Sequence, residues 1–297
     1  MERLREILAF VNHKGGVGKT TTVQTLAAGL RRYGAGHFGR LENGNQRQPR
    51  ILIIDLDPQS CASFLFGWSE TQQTDKPNVY DDLINQRGLS VYQVREGIYL
   101  APASKRLIGI DPFLNQMPSP RKALTKILSK PIIEMQGTEL YDEFVAPTGV
   151  AVDHNIVECF DYVLIDCPPA MSLLTHNAMT VASGIVIPVQ LEALATKGLA
   201  EILAEARITK EELNEDLEIR GLLMVMSNDQ TKATKEFKAF LGEKYEGYLF
   251  DAYVRRDTKM VECQAMNQDI FAYAPYSRVG MDYEKFTKEI INTYKED

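Results

Sequence analysis

The chain has 297 residues, 44% of them hydrophobic and 25% charged, with a formal net charge of −7. That balance suits one large buried core and argues against a constitutive, high-affinity nucleic-acid binder. No apolar run approaches the ~18 residues of a membrane span, the start of the chain lacks a signal-peptide pattern, and Cys61, Cys159, Cys167 and Cys263 form no C-x-x-C pair.

In chain order, the apolar run Ile7 to Val11 reads as a buried strand within 6–12. It leads into His13-Lys14-Gly15-Gly16-Val17-Gly18-Lys19-Thr20, after which Val23, Leu26, Ala27 and Leu30 recur at helical spacing across 19–33. Strand, glycine-rich turn and helix together make a phosphate-binding context. The glycines let successive N–H groups face one anion, and the helix N-terminus adds partial positive charge. Lys19 then reaches the β- and γ-phosphates, and the Thr20 hydroxyl is placed to hold Mg²⁺. The general Walker pattern has glycine where this chain has His13, and the turn carries a second lysine, Lys14.

The polar segment 34–50 is expected as an inserted exposed loop before a strand at 51–56, which ends in Asp55-Leu56-Asp57-Pro58-Gln59. A helix at 80–86, a strand at 98–101 and a helix at 120–129 follow. Residues 131–158 form a second expected insertion, punctuated by Pro131, Gly137, Pro147 and Gly149. Next come a strand at 162–166 ending on Asp166, a helix at 172–181, a strand at 184–190 and a helix at 196–213. The acidic stretch 201–218 reads as a solvated face. A strand at 219–226, a helix at 232–244, a short strand at 248–250 and a helix at 282–294 complete the pattern. This alternation predicts an α/β fold, a doubly wound and mostly parallel sheet flanked by helices, with residues 1–297 as one domain. Lys232, Lys235 and Lys238 share a broad helical face, and Arg255, Arg256 and Lys259 follow. Glu236, Asp251 and Asp257 are interleaved, so the basic groups form a patch rather than a stripe.

Lys14 to Thr22 resembles the deviant Walker A loop of the ParA/MinD superfamily of P-loop ATPases. Asp55-Leu56-Asp57-Pro58-Gln59 is similar to its switch I, and Phe160 to Pro169 to its Walker B strand and switch II. Leu174 to Ala178, Ile187 to Gln190, Val254 to Arg256 and Tyr276 to Tyr283 continue the likeness to partition-type members. The resemblance implies ATP and Mg²⁺ as cofactors. Its nucleotide-binding residues fall on Lys14, Gly15, Gly16, Val17, Gly18, Lys19, Thr20 and Thr21, with Asn228 near the base. The metal set is Thr20, Asp57 and Asp166, the last acting through a water. Asp57 would orient the attacking water, its other reading being a turn residue before Pro58, while Asp55 is either structural or a metal-shell acid. Lys14 would cross a homodimer interface to the partner's nucleotide.

The final segment, with Asp282, Glu284, Glu289, Glu296 and Asp297, has no clean basic face, which disfavours a membrane-bound member of the group. A strand by residue 7 leaves no room for a helix-turn-helix domain ahead of it. The implied function is a cytoplasmic, ATP-dependent dimerising ATPase. It would partition plasmid or chromosomal DNA through non-specific DNA binding at Lys232, Lys235, Arg255, Arg256 and Lys259, with a ParB-like partner. Gln230 stands where relatives carry a DNA-contacting arginine, and Lys197 replaces a usual acid. The alternative is a nucleotide-dependent positioning or assembly switch acting on a protein cargo with little DNA binding.

Overall fold

A computed structural model describes residues 6–35, 47–69, 71, 73–131, 155–191, 195–228 and 231–293. Most of the two expected insertions, 34–50 and 131–158, lies outside the described residues, as does Gln230.

The chain runs β1 (Glu6–Phe10), α1 (Lys19–Tyr33), β2 (Ile51–Asp55), α2 (Cys61–Leu65), α3 (Val79–Asn85), β3 (Tyr92–Arg95) and β4 (Ile98–Ala101). It continues through α4 (Asp111–Leu114), α5 (Ala123–Leu128), β5 (Tyr162–Asp166), α6 (Leu173–Val181), β6 (Gly184–Val189) and α7 (Ala195–Glu212). The last elements are β7 (Glu218–Met224), α8 (Lys232–Lys244), α9 (Thr258–Ala265), α10 (Ile270–Tyr273) and α11 (Arg278–Asn292). The seven strands form one sheet in the order β3-β4-β2-β5-β1-β6-β7, and only the β3–β4 pair is antiparallel.

The central strands are apolar without interruption because helices cover both faces of the sheet. In β2, Leu52 and Ile54 face the core beneath α3, α5, α6 and α7, whereas Ile51 and Ile53 face the core beneath α1, α10 and α11. Period-two alternation thus feeds two cores from one strand. Pro188 is tolerated in β6 because it lies beyond the last β1 partner pair, Phe10↔Val186, where no ladder donor is needed on that side. Its carbonyl accepts instead from Asn12 Nδ2 at 2.7 Å.

The closing helix begins at Arg278, four residues before the expected start, because the Ser277 hydroxyl accepts from Gly280 N at 3.1 Å and caps it. Its apolar face, with Val279, Tyr283, Phe286 and Ile290, packs into the core. Gly29 admits the close approach, since a Cβ there would strike Thr287, and the Thr22 hydroxyl meets the Tyr283 hydroxyl at 3.1 Å inside the contact. None of the described helices is long and apolar enough to cross a membrane.

Several elements depart from the sequence expectation. Strand β3 joins β4 through Glu96-Gly97, with Gly97 at φ 67°; Gln93 and Arg95 interrupt it, so no apolar run marks it as one marks the equally short β4. The helices α2, α4 and α10, of four or five residues, are too short for periodicity to register, and α9 stands outside the expected elements. The expected strand 248–250 reduces to a single bridge, Leu222↔Leu249. The helix expected at 120–129 opens with a 3₁₀ turn at Pro120–Lys122 before α5 begins.

A candidate phosphate-binding site

Asp55 and Asp166 are register partners at the carboxyl ends of β2 and β5, and Phe10 of β1 pairs with Asp166 on its other side. Loops leaving these three strands therefore meet above one edge of the sheet, where α/β folds bind ligands. The turn from β1 into α1 takes the left-handed conformation at Gly16 (φ 74°) and Gly18 (φ 77°), which a side chain would strain. Helix α1 starts with no side-chain cap and no acid in its first turn. Its leading N–H groups and positive dipole end are thus left for an external anion.

Asn12 braces the turn from below. Its Oδ1 accepts from Lys14 N at 2.9 Å while its amide holds Pro188, so one side chain ties the loop to β6. Sequence reasoning passed over Asn12, although an Asx-type bond two residues ahead is what asparagine offers before a turn. Lys19 folds back over the loop, only 6% exposed, and its Nζ donates to the carbonyls of Asn12 (3.1 Å) and Lys14 (3.0 Å). Burial pushes its pKa down, opposed by the carboxylates of Asp166 and Asp57 and by Cys167.

Asp166 is fully buried, and its Oδ2 accepts from the Thr20 hydroxyl at 2.7 Å. Its Oδ1 is buried without a hydrogen-bond partner. Burial raises its pKa well above the carboxylate range. Asp55 and Asp57 add to the rise, and Thr20 and Lys19 offset part of it. An orphaned carboxylate oxygen beside a hydroxyl fits a hard divalent cation. Mg²⁺ takes one or two protein oxygens and fills the rest of its octahedron with phosphate and water. No cluster of three or more His, Cys, Asp or Glu forms a metal cage among the described residues, and Mg²⁺ needs none.

The two switch I aspartates have different surroundings. Asp55 is fully buried and accepts from Ser63 N (2.8 Å), Ser63 Oγ (2.7 Å) and Asp57 N (3.1 Å). Burial lifts its pKa to about 7 despite those bonds. Ser63 Oγ in turn accepts from Ala103 N at 3.0 Å, so Asp55 ties the loop after β2 to the loop after β4. Asp57 instead lines an open cavity, and its Oδ1 accepts from Gln59 N at 2.9 Å. Of the readings left open for Asp55, the geometry matches the structural one.

The cavity measures about 720 Å³, and its walls include Gly15, Gly16, Gly18, Lys19, Thr20, Thr21, Asp57, Lys105, Met226 and Gln264. Lys14 is exposed on the outer side of the loop, Val17 is buried beneath it, and Asn228 is exposed two residues past Met226, which forms the wall at that level. Cys61 also borders the cavity, its thiol pKa raised by burial and by Asp57 and Asp55. Cys167 is buried, as expected for a small core residue.

The basic residues lie away from this cavity and are unequal. Asp282 grips Arg255 with Oδ2 on Nε (2.9 Å) and Oδ1 on Nη2 (2.6 Å), an ion pair that cancels its charge locally. Lys232 pairs with Glu236 at 3.3 Å and Lys259 with Glu262 at 2.7 Å, both on the surface, where such pairs are weak and exchangeable. The Lys238 ammonium sits over the Tyr253 ring at 4.4 Å. Lys235 and Arg256 are exposed and make no ion pair among the described residues.

The family model described as "AAA domain" matches residues 5–142 and 151–219. The chain is 30% identical to the sporulation initiation inhibitor protein Soj of Bacillus subtilis, over 96% of this chain and 98% of that one. It is 29% identical to the chromosome-partitioning ATPase Soj of Thermus thermophilus, over 97% and 96% of the two chains. Among solved structures, cobyrinic acid a,c-diamide synthase of Mycobacterium smegmatis, bound to an ATP analogue and magnesium, superposes with a TM-score of 0.72. It shares 24% identity and covers 98% of this chain and 96% of its own.

Proposed function

The chain belongs to the family described as "AAA domain" and to the ParA/MinD superfamily of P-loop ATPases, and from that premise we propose that it is a partition-type ATPase whose ATP-bound homodimer holds DNA without sequence preference. The observation that carries the reading is the convergence of Lys19, Thr20 and Asp57 on one cavity, with the orphaned oxygen of Asp166 behind Thr20. Phosphoryl transfer needs positioning and charge neutralisation more than covalent help. The loop N–H groups and Lys19 neutralise the phosphate oxygens, and Asp57, on the same cavity, orients the attacking water. The Thr20 hydroxyl and Asp166 would hold Mg²⁺, which would supply further charge neutralisation at the phosphates. Asp55 fixes the backbone of Asp57 and thereby the placement of its carboxylate.

In this reading Lys14 leaves the loop outward to meet the nucleotide of a second copy, and the γ-phosphate favours the dimer. Lys14→Ala is therefore expected to bind ATP as a monomer yet fail to dimerise with it. Sedimentation velocity with a slowly hydrolysed analogue checks this, and an unimpaired ATP-dependent dimer contradicts the role.

The name of the Thermus relative, chromosome-partitioning ATPase, supports DNA as the cargo; residence in the cytoplasm on the nucleoid and a ParB-like stimulating partner belong to the same reading. Dimerisation doubles a patch in which Lys235 and Arg256 are exposed and without an ion pair among the described residues, and Lys232 and Lys259 exchange readily between their acids and a phosphate. Non-specific affinity is then expected to appear with ATP, to be weak with ADP, and to fall with salt at a log–log slope of roughly −0.9 per phosphate contact. Arg256→Glu is expected to weaken DNA binding at least tenfold while leaving the ATP-dependent dimer intact. A wild-type dimer without salt-sensitive DNA binding would sink the DNA reading. The switch acting on a protein cargo would then stand, a reading favoured by the acids already paired with Arg255, Lys259 and Lys232.

A further inference from the structure

The sheet order gives the cavity two ends. Thr20 is bonded to Asp166 of β5, and Asp57 follows β2, so the metal and hydrolysis end lies on the β5–β2 side of β1. The other side of β1 leads to β6 and β7, and the cavity wall there includes Met226, which the phosphate chemistry does not use. Met226, just past β7, takes a left-handed backbone (φ 53°) and sits against the loop, where a Cβ on Gly18 would meet its Cε at 3.7 Å. Ser227 then bridges to Arg255, and the chain turns into α9, capped by Asp257. Gln264, in the last turn of α9, lines the cavity and donates from Nε2 to Thr21 Oγ1 at 3.1 Å.

A nucleotide with its γ-phosphate at the Asp57 end directs its nucleoside away from Asp57, along a cavity wall that includes Met226 and Gln264. We propose that Gln264 is a nucleotide-binding residue that holds the sugar of a nucleoside di- or triphosphate. The inference rests on the phosphate-site reading above. A glutamine amide carries two N–H donors and a carbonyl acceptor. The bond to Thr21 uses one donor, and the remaining donor and carbonyl suit groups that both accept and donate, as sugar hydroxyls do. The neutrality of the amide also fits this end, where Lys19 contributes no contact. Gln264 and Thr21 are 243 positions apart in the chain, so the contact depends on α9 packing beside α1.

The test is titration calorimetry on the full chain with Mg²⁺, using ATP, ADP and inorganic tripolyphosphate against wild type, Gln264→Ala and Gln264→Glu. Losing a neutral hydrogen bond weakens affinity by roughly threefold to tenfold, so Gln264→Ala is expected to lose that much for both ATP and ADP. Tripolyphosphate, which has no nucleoside, should bind wild type and Gln264→Ala alike. Gln264→Glu should lose more for the nucleotides, because its carboxylate opposes the α-phosphate. Unchanged ATP and ADP affinities in Gln264→Ala would overturn the proposal. A parallel loss for tripolyphosphate would also overturn it, since Gln264 would then only brace Thr21 and the loop. In either case a wild type that binds ATP keeps the phosphate site. A wild type that binds none of the three probes would remove that site and the role of Gln264 with it.

Discussion

Replacing Lys19 with alanine is expected to abolish ATP turnover and to weaken ATP and ADP binding by roughly ten- to a hundredfold, as loss of a charge-assisted contact of about 1.5–3 kcal/mol implies. The size of the effect follows from what surrounds the ammonium. Lys19 is nearly buried and pulled from two sides by the Asp166 and Asp57 carboxylates, so its removal leaves acids facing an incoming triphosphate. The loop also loses the donor that joins the carbonyls of Asn12 and Lys14. Lys19→Arg is expected to restore little, because a planar guanidinium cannot fold over the turn as a compact ammonium does. Titration calorimetry decides the matter, and equal nucleotide affinity in variant and parent would remove the phosphate-site assignment.

Asp57→Ala should separate binding from chemistry. Asp57 borders the cavity, and among the described residues its carboxylate accepts only from the nearby Gln59 N–H, so its loss leaves the loop around Lys19 and Thr20 in place. ATP and Mg²⁺ should still bind, while hydrolysis slows by roughly 10²-fold or more, the usual contribution of a group that orients or deprotonates a nucleophile. The ATP-bound dimer should then persist. Single-turnover hydrolysis, with sedimentation on the same sample, checks both halves. Normal turnover, or outright loss of ATP binding, would move Asp57 to a structural role like that of Asp55.

The parts of this protein that were readable from residue order are those whose physics is local. Glycines at left-handed turn positions, a lysine and a threonine at the start of a helix, and unbroken apolar runs each report on the few residues beside them. The phosphate loop, the six strands other than β3 and the main helices accordingly stand close to where the sequence places them. The aspartates of Asp55-Leu56-Asp57 show where such reading stops. Two positions apart in sequence and identical in chemistry, they part only because β2 packs Asp55 inward, where Ser63 and Ala103 close over it, and leaves Asp57 on the cavity. Arg255 reads as a free cation until α11 brings Asp282 against its guanidinium. Gln264 carries no pattern at all, and only the docking of α9 beside α1 puts it on Thr21. Short-range periodicity and turn chemistry are written along the chain. Which distant groups neutralise, orient or meet one another is set by how the helices pack on the sheet, and that is a property of the tertiary structure alone.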